Sequence, residues 1–388
     1  MKLLVNTSQL VPPLSGIGRY TQQLLAHLIL EPEINDLNGF SGLSLQNHYD
    51  LETLIMSLDG DRNNRVRSQY SSFRALAKKI PSARLLNYYA QKKLLKSQFE
   101  KNSTCIYWEP NYILTPFEGK KITTIYDLSH LRYPEFLPKD RRIWLEKKLP
   151  ESIDSADAII TISEFSKHEI INEFSVSEDK IFIVPPGVSP VFRYHYSLQQ
   201  IKQLKQQLAL PENYILSVGT IEPRKNIIGL IQAYSALPDR LRNRFPLVLA
   251  GAKGWHTEQI EMLLKPLVKK NQLILLGYVE QEKIPILYAA ATVLSYISHY
   301  EGYGMPIAEA MCSNTAVLTS NVSSMPEVAA QCAQLVDPTN IEQITEHLRE
   351  LLEDVHKREK LQNQAKKVSD AYRWEYSAKS MLSVLMAL

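Results

Sequence analysis

The chain has 388 residues, a length that favours two domains, and its 45% hydrophobic and 22% charged residues exclude disorder and coiled coil. With 44 Lys or Arg against 41 Asp or Glu, the net charge of +3 gives no global nucleic-acid footprint. Three widely spaced cysteines, Cys105, Cys312 and Cys332, form neither a disulfide framework nor a metal-ligand cluster and suit a reducing compartment.

The amino terminus turns polar at Asn6, too soon for a signal peptide. Residues 3–5 are a short apolar run, followed by a loop and Gly16-Ile17-Gly18. Tyr20, Leu24, Leu25 and Leu28 then recur at helical spacing, so strand, glycine turn and helix open a βαβ unit. Residues 62–101 hold eleven Lys or Arg and a single acid, Glu100, interleaved with aromatic and aliphatic residues such as Tyr70, Tyr88 and Leu95. An anionic membrane surface, a nucleic acid or plain solvent are the three partners such a stretch suits.

Further apolar runs lie at residues 123–126, 158–162, 181–184, 214–218, 247–251, 273–276, 293–296 and 316–319. Most are separated by segments of helical period, such as 226–237 and 257–269. Runs apolar throughout that alternate with helices predict parallel sheets covered on both faces. Prolines and Gly187 break the pattern at residues 184–190, which puts a domain boundary near 190–210. The longest apolar stretch, 286–297, is interrupted by Thr292 and Ser295, and none approaches the ~18 residues of a membrane span. A soluble, cytoplasmic protein is expected. The chain ends in an apolar helix after Trp374, which at this level reads as a cap on the second domain.

Four loops carry candidate chemistry. His299-Tyr300-Glu301-Gly302-Tyr303-Gly304-Met305 follows a buried strand and turns helical. Its glycines permit close backbone approach, and a helix amino terminus offers N–H groups to an anion. Glu301 and, two turns into the helix, Glu309 suit different hydroxyls of one polar ligand, or are two surface glutamates. Ser217-Val218-Gly219-Thr220-Ile221-Glu222-Pro223-Arg224-Lys225 places two cations at the carboxyl end of a strand, where open α/β sheets bind ligands. Arg224 as a fork and Lys225 as a point charge suit a diphosphate; a solvated charge pair is the alternative. Gly16-Ile17-Gly18-Arg19 does not continue as a dinucleotide fingerprint, since Thr21 stands at the third glycine position. Asp127, after Tyr126, is a ligand, a catalytic group or a turn cap.

Together these motifs resemble the retaining glycosyltransferases of family 4. The resemblance spans Ser15-Gly16-Ile17-Gly18-Arg19-Tyr20, Thr124-Ile125-Tyr126-Asp127-Leu128, Thr161-Ile162-Ser163-Glu164 and Val184-Pro185-Pro186-Gly187-Val188. It continues through the Gly219 to Asn226 turn, Leu276-Gly277-Tyr278-Val279, the Glu301 and Glu309 pair, and Ser323-Ser324-Met325-Pro326-Glu327. It implies an α/β fold of the GT-B type, two Rossmann-like domains facing across a cleft. Residues 1–195 would form the acceptor-binding domain and 196–370 the nucleotide-sugar domain. Residues 371–388 would form a helix crossing back to the first.

The resemblance also implies roles. Arg224 and Lys225 match diphosphate-binding cations, and Glu309 matches the carboxylate on the ribose. Glu301 with Gly302, Tyr303, Gly304 and Met305 matches the group contacting the transferred sugar. Gly219 belongs to the phosphate-binding turn, and Gly251, Tyr278 and Val279 sit where the base packs. Gly16 and Gly18 lie near the donor phosphates, Asp127 joins the catalytic set, and Tyr126 and Ser163 lie on the acceptor side. Tyr126 departs from the family's usual His, Pro186 stands where Asn is common, and His130 is not expected to replace the missing His. No metal or cofactor is implied. The donor favoured is GDP-mannose, and the acceptor a lipid-linked saccharide of a bacterial surface polysaccharide. The basic segment would hold the enzyme at the inner membrane face, with no nucleic-acid partner. A binding protein without transfer activity and a sugar-nucleotide epimerase are the competing readings.

Overall fold

Short apolar runs such as residues 158–161, 247–250 and 293–296 are strands buried along their whole length, as the interior of a parallel sheet requires. The computed structural model describes residues 1–12, 14–42, 44–59, 83–101, 104–252, 254 and 258–388. They divide into two units: Met1–Ile162 with Ser166–Pro186 and Trp374–Leu388, and Ser163–Phe165 with Gly187–Arg373.

The first unit holds β1 (Lys2–Asn6), β2 (Asp36–Ser41), β3 (Ser44–Gln46), β4 (Cys105–Glu109), β5 (Lys121–Thr124), β6 (Ala158–Thr161) and β7 (Ile181–Ile183). Their order is β3-β2-β1-β4-β5-β6-β7, parallel except for β3. In the register, Val5 lies opposite Trp108 and Trp108 opposite Ile122. The helix Gly16–Leu28 buries Leu24, Leu25 and Leu28 completely and is capped by Ser15, whose Oγ accepts from Gly18 N. Against it lies the last helix, Trp374–Ala387, with the Trp374 ring 5.9 Å from that of Tyr20 and Met381 and Leu385 buried.

The second unit holds β8 (Ile215–Val218), β9 (Leu247–Ala250), β10 (Leu273–Gly277), β11 (Val293–Tyr296), β12 (Ala316–Ser320) and β13 (Gln334–Val336). These are parallel in the order β10-β9-β8-β11-β12-β13. One core joins Leu247, Leu249 and Leu318 to Tyr234 and to Ile344, Leu348 and Leu351 of the helix Ile341–Glu353. The spacing of those three helix residues follows the 3.6-residue turn, and Asn340 starts the helix by accepting from Gln343 N at 3.0 Å.

Two boundaries differ from the expected 195/196 and 370/371. Residues 187–195 belong to the second unit because Val188 N donates to Tyr372 O at 2.9 Å and Phe192 packs on Tyr288, ring centroids 5.7 Å apart. Arg193 adds donors to Val188 O, Ser369 O and Tyr372 O, which keeps residues 371–373 with the same unit. The crossing helix therefore starts at Trp374. Among the described residues, no helix is long and apolar enough to cross a membrane. Residues 62–82 of the basic segment lie outside the described residues; the rest forms the helix Ala83–Lys101.

Candidate active site

At the carboxyl ends of β8 and β11, four charged side chains meet. Pro223–Lys225 is a single 3-10 turn after Gly219. Asn226 then takes a left-handed φ of 54°, which short polar residues tolerate, and its Oδ1 accepts from Gly229 N at 3.2 Å to begin the helix Ile227–Ala236. This sharp turn presents Arg224 and Lys225 on the β11 side. Arg224 Nη1 donates to Glu301 Oε2 at 2.9 Å and to Tyr300 O at 2.8 Å, while Nη2 donates to Glu222 Oε1 at 3.0 Å. Lys225 Nζ donates to Glu301 Oε1 and to Tyr296 OH, both at 2.6 Å. Tyr296 OH also donates to Glu301 Oε1 at 2.8 Å.

Glu301 is 6% exposed. Burial alone would raise its carboxyl, but Arg224 and Lys225 outweigh that and hold it at about 2. Burial lowers Lys225, with Glu301 pulling the other way. Two cations and two carboxylates cancel locally, so the cluster as a whole carries little net charge.

The loop around Glu301 is fixed from behind. Glu301 N donates to Ser323 Oγ at 3.1 Å, and Ser324 Oγ lies 2.8 Å from both Glu301 O and Tyr303 O. Ser163 Oγ donates to Gly302 O at 2.7 Å. Ser163, expected on the acceptor side, belongs to the second unit, where its hydroxyl holds the Glu301 loop. The helix Met305–Cys312 starts after Gly304, and Glu309 in it accepts from Tyr288 OH at 2.9 Å. Gly219 and Gly251 sit together at the ends of β8 and β9; a Cβ at 251 would come within 1.9 Å of Gly219 O, so a glycine is obligatory. Tyr278 is 59% exposed beyond β10, beside buried Val279. Among the described residues, no cluster of His, Cys, Asp and Glu is arranged to hold a metal ion.

In the first unit the expected residues are held by local contacts. Tyr126 is buried between Tyr20 and Tyr112, ring centroids 5.4 and 5.9 Å away, and its hydroxyl donates to Pro110 O at 2.8 Å. The Tyr126 hydroxyl is thus committed to the backbone. Asp127 Oδ1 accepts from Ser129 N at 3.0 Å and from Tyr112 OH at 3.3 Å, the geometry of a turn cap. Burial lowers His130, which is buried beyond the cap. A Cβ on Gly16 would meet nothing within 4 Å, whereas one on Gly18 would come 2.6 Å from Gln9 O.

Sequence reasoning did not single out Glu222, Tyr296 or Tyr288. Glu222 sat inside a recognised motif, and its neighbour Arg224 was the available clue. The tyrosines end buried elements and look like core until the register aims their hydroxyls.

Two family models match the chain: "Glycosyl transferases group 1" over residues 176–368 and "Glycosyltransferase Family 4" over residues 114–192. An Escherichia coli O-antigen chain mannosyltransferase B is 35% identical over 375 residues, covering 97% of both chains. The chain belongs to the family 4, group 1 glycosyltransferases. Another member, the serotype-specific mannosyltransferase WbdA of Escherichia coli, is 33% identical over 62% of this chain and 30% of its own length. Sucrose-phosphate synthase from Thermosynechococcus elongatus superposes with a TM-score of 0.72 at 18% identity, over 100% of this chain and 98% of its own. That likeness establishes the GT-B fold, with its two parallel-sheet Rossmann-like domains.

Proposed function

We propose that this glycosyltransferase moves mannose from GDP-mannose to a lipid-linked saccharide, with retention of configuration and without a metal, in cell-surface polysaccharide synthesis. The observation that carries the reading is the buried Arg224–Lys225–Glu301 cluster at the carboxyl ends of β8 and β11. Its presence in a chain similar along its whole length to an O-antigen mannosyltransferase supports the choice of sugar.

Departure of the nucleoside diphosphate builds negative charge, which Arg224, Lys225 and the amino terminus of the helix Met305–Cys312 are suited to take up. Lys225 has three donors, of which Tyr296 and Glu301 take two. Glu301, ionised at any working pH, accepts hydrogen bonds from hydroxyls of the transferred sugar. Glu309, steadied by Tyr288, holds the ribose; Gly251, Tyr278 and Val279 receive the base. A phosphate oxygen of the leaving group takes the acceptor proton, so no side chain serves as general base.

The acceptor belongs to the first unit. The helix Ala83–Lys101 buries Gln91 and Leu95 and exposes Lys92, Lys93 and Lys96 with Tyr89, an arrangement that suits an anionic lipid surface. Its Tyr88 packs on Trp144 at 5.9 Å and lies under Lys148 Nζ at 5.3 Å.

The test is incubation with several labelled nucleotide-sugars and a lipid-linked saccharide, with the linkage of the product read by NMR. Transfer from GDP-mannose with the donor's configuration is expected; inversion, or transfer from another donor only, overturns the assignment. Flotation with liposomes tests the surface. Binding that needs anionic lipid and falls with salt is expected, and salt-insensitive binding contradicts it.

A further inference from the structure

Glu109 ends β4 at the point where the first sheet reverses direction: β1 leads on to β2 on one side, β4 to β5 on the other. Such a reversal opens a crevice at the carboxyl ends of the strands. Glu109 is 3% exposed. Its Oε2 accepts from Asn6 Nδ2 at 2.8 Å, across on β1, and from Tyr107 OH at 2.7 Å. Asn6 Oδ1 in turn accepts the backbone N–H of Ser8 at 3.0 Å and the Ser8 hydroxyl. Residues 7–10 close a turn, Leu10 N donating to Thr7 O at 2.9 Å, and Gly18 lies so close to it that a Cβ there would come 2.6 Å from Gln9 O. The segment after Glu109 holds the other edge of the crevice, through Pro110 O to Tyr126 and through Tyr112 to Asp127.

We propose that Glu109 is a positioning residue of the transferase, which through Asn6 sets the turn of residues 7–10 and with it the Gly16–Gly18 helix start. The link to transfer rests on the function proposed above.

The electrostatics give the device a direction. Burial pushes the Glu109 carboxyl up to about 7, outweighing the hydrogen bonds from Asn6, Tyr107 and the Asn111 backbone that favour ionisation. The titratable groups facing it are Tyr107 on its own strand and Tyr126 after β5, both raised by burial and therefore neutral. Both side-chain donors meet Oε2, so a proton on the other oxygen leaves them in place. An opened turn would admit water and return the carboxyl to its ordinary range. By linkage, the closed turn is favoured on the acid side and loosens as the pH rises through about 7.

Hydrogen–deuterium exchange on the full chain, corrected for the intrinsic pH dependence of exchange, reads this directly. Protection of peptides covering residues 6–12 is expected to fall about tenfold from pH 6 to pH 8. Glu109→Gln, a neutral mimic of the acid, should keep the pH 6 protection at pH 8. Tyr107→Phe removes a donor that favours ionisation and should move the midpoint to higher pH. With a competent donor and acceptor, kcat should follow the same midpoint, and Glu109→Gln should hold its rate at pH 8. Protection that is flat in the wild type, or that falls equally in Glu109→Gln, overturns the inference. The exchange measurement needs no substrate. A failure of transfer from every donor would therefore strike the proposed function and leave the turn result standing.

Discussion

Two buried glutamates end up on opposite sides of the ordinary carboxyl range. Glu301 and Glu109 are 6% and 3% exposed, and each lies at or just beyond the carboxyl end of a parallel strand beside the reversal of its sheet. Glu301 faces Arg224 and Lys225 and is held at about 2; Glu109, among the described residues, faces neutral donors and is pushed up to about 7. Burial is common to both, so the charge of the partners decides. The first is a fixed anion, the second a group that changes state near neutral pH.

The comparison breaks most sharply at Glu301. Glu301→Gln leaves Arg224 and Lys225 buried without their shared anion, which costs about 3–5 kcal/mol by the usual price of an orphaned buried charge. Chemical denaturation should register that loss, together with loss of transfer. An unchanged midpoint would show that the cluster is not closed as described.

The pH dependence of stability separates the two glutamates next. The lowered carboxyl of Glu301 contributes stability that is present above about 4.5 and lost as the pH falls through about 2. The raised carboxyl of Glu109 contributes stability that is full below about 4.5 and lost as the pH rises through about 7, about 3 kcal/mol in all. Between pH 5 and 8 the denaturation free energy of the wild type should therefore decline, and that of Glu109→Gln should stay level over the same interval. Parallel slopes would contradict the assignment.

Smaller effects distinguish the two glycines of the first helix. Gly18→Ala presses a Cβ to 2.6 Å from Gln9 O and should cost about 1–3 kcal/mol, whereas Gly16→Ala meets open space. Thermal unfolding should show the first shift and leave Gly16→Ala within about 0.5 kcal/mol of wild type. A loss of transfer in Gly16→Ala would then report a ligand's approach rather than a folding defect.

Much of this was legible in the sequence because fully buried strands announce themselves. The runs at residues 214–218, 247–251, 293–296 and 316–319 became β8, β9, β11 and β12. The strands that went unread were β2, β3, β4 and β13. In β2, Asn38 and Gly39 interrupt the apolar run, and β4 carries its own polar end in Glu109. The motif at Gly219 to Asn226 pointed to Arg224 and Lys225, and the structure adds that both point at Glu301, which no spacing argument can supply across 77 and 76 residues of chain. Tyr126 shows the opposite limit. Its place in a motif marked it for the site, while its hydroxyl went to Pro110 O because a buried phenol needs an acceptor.

The central claim, that Arg224 and Lys225 hold the diphosphate of the donor, is tested most directly by calorimetric titration of GDP into the wild type, Arg224→Lys and Lys225→Ala, with folding checked by circular dichroism. Both variants should bind at least about tenfold more weakly, Arg224→Lys because a point charge cannot replace the two-pronged fork. Folded variants that bind GDP as tightly as the wild type would contradict the account.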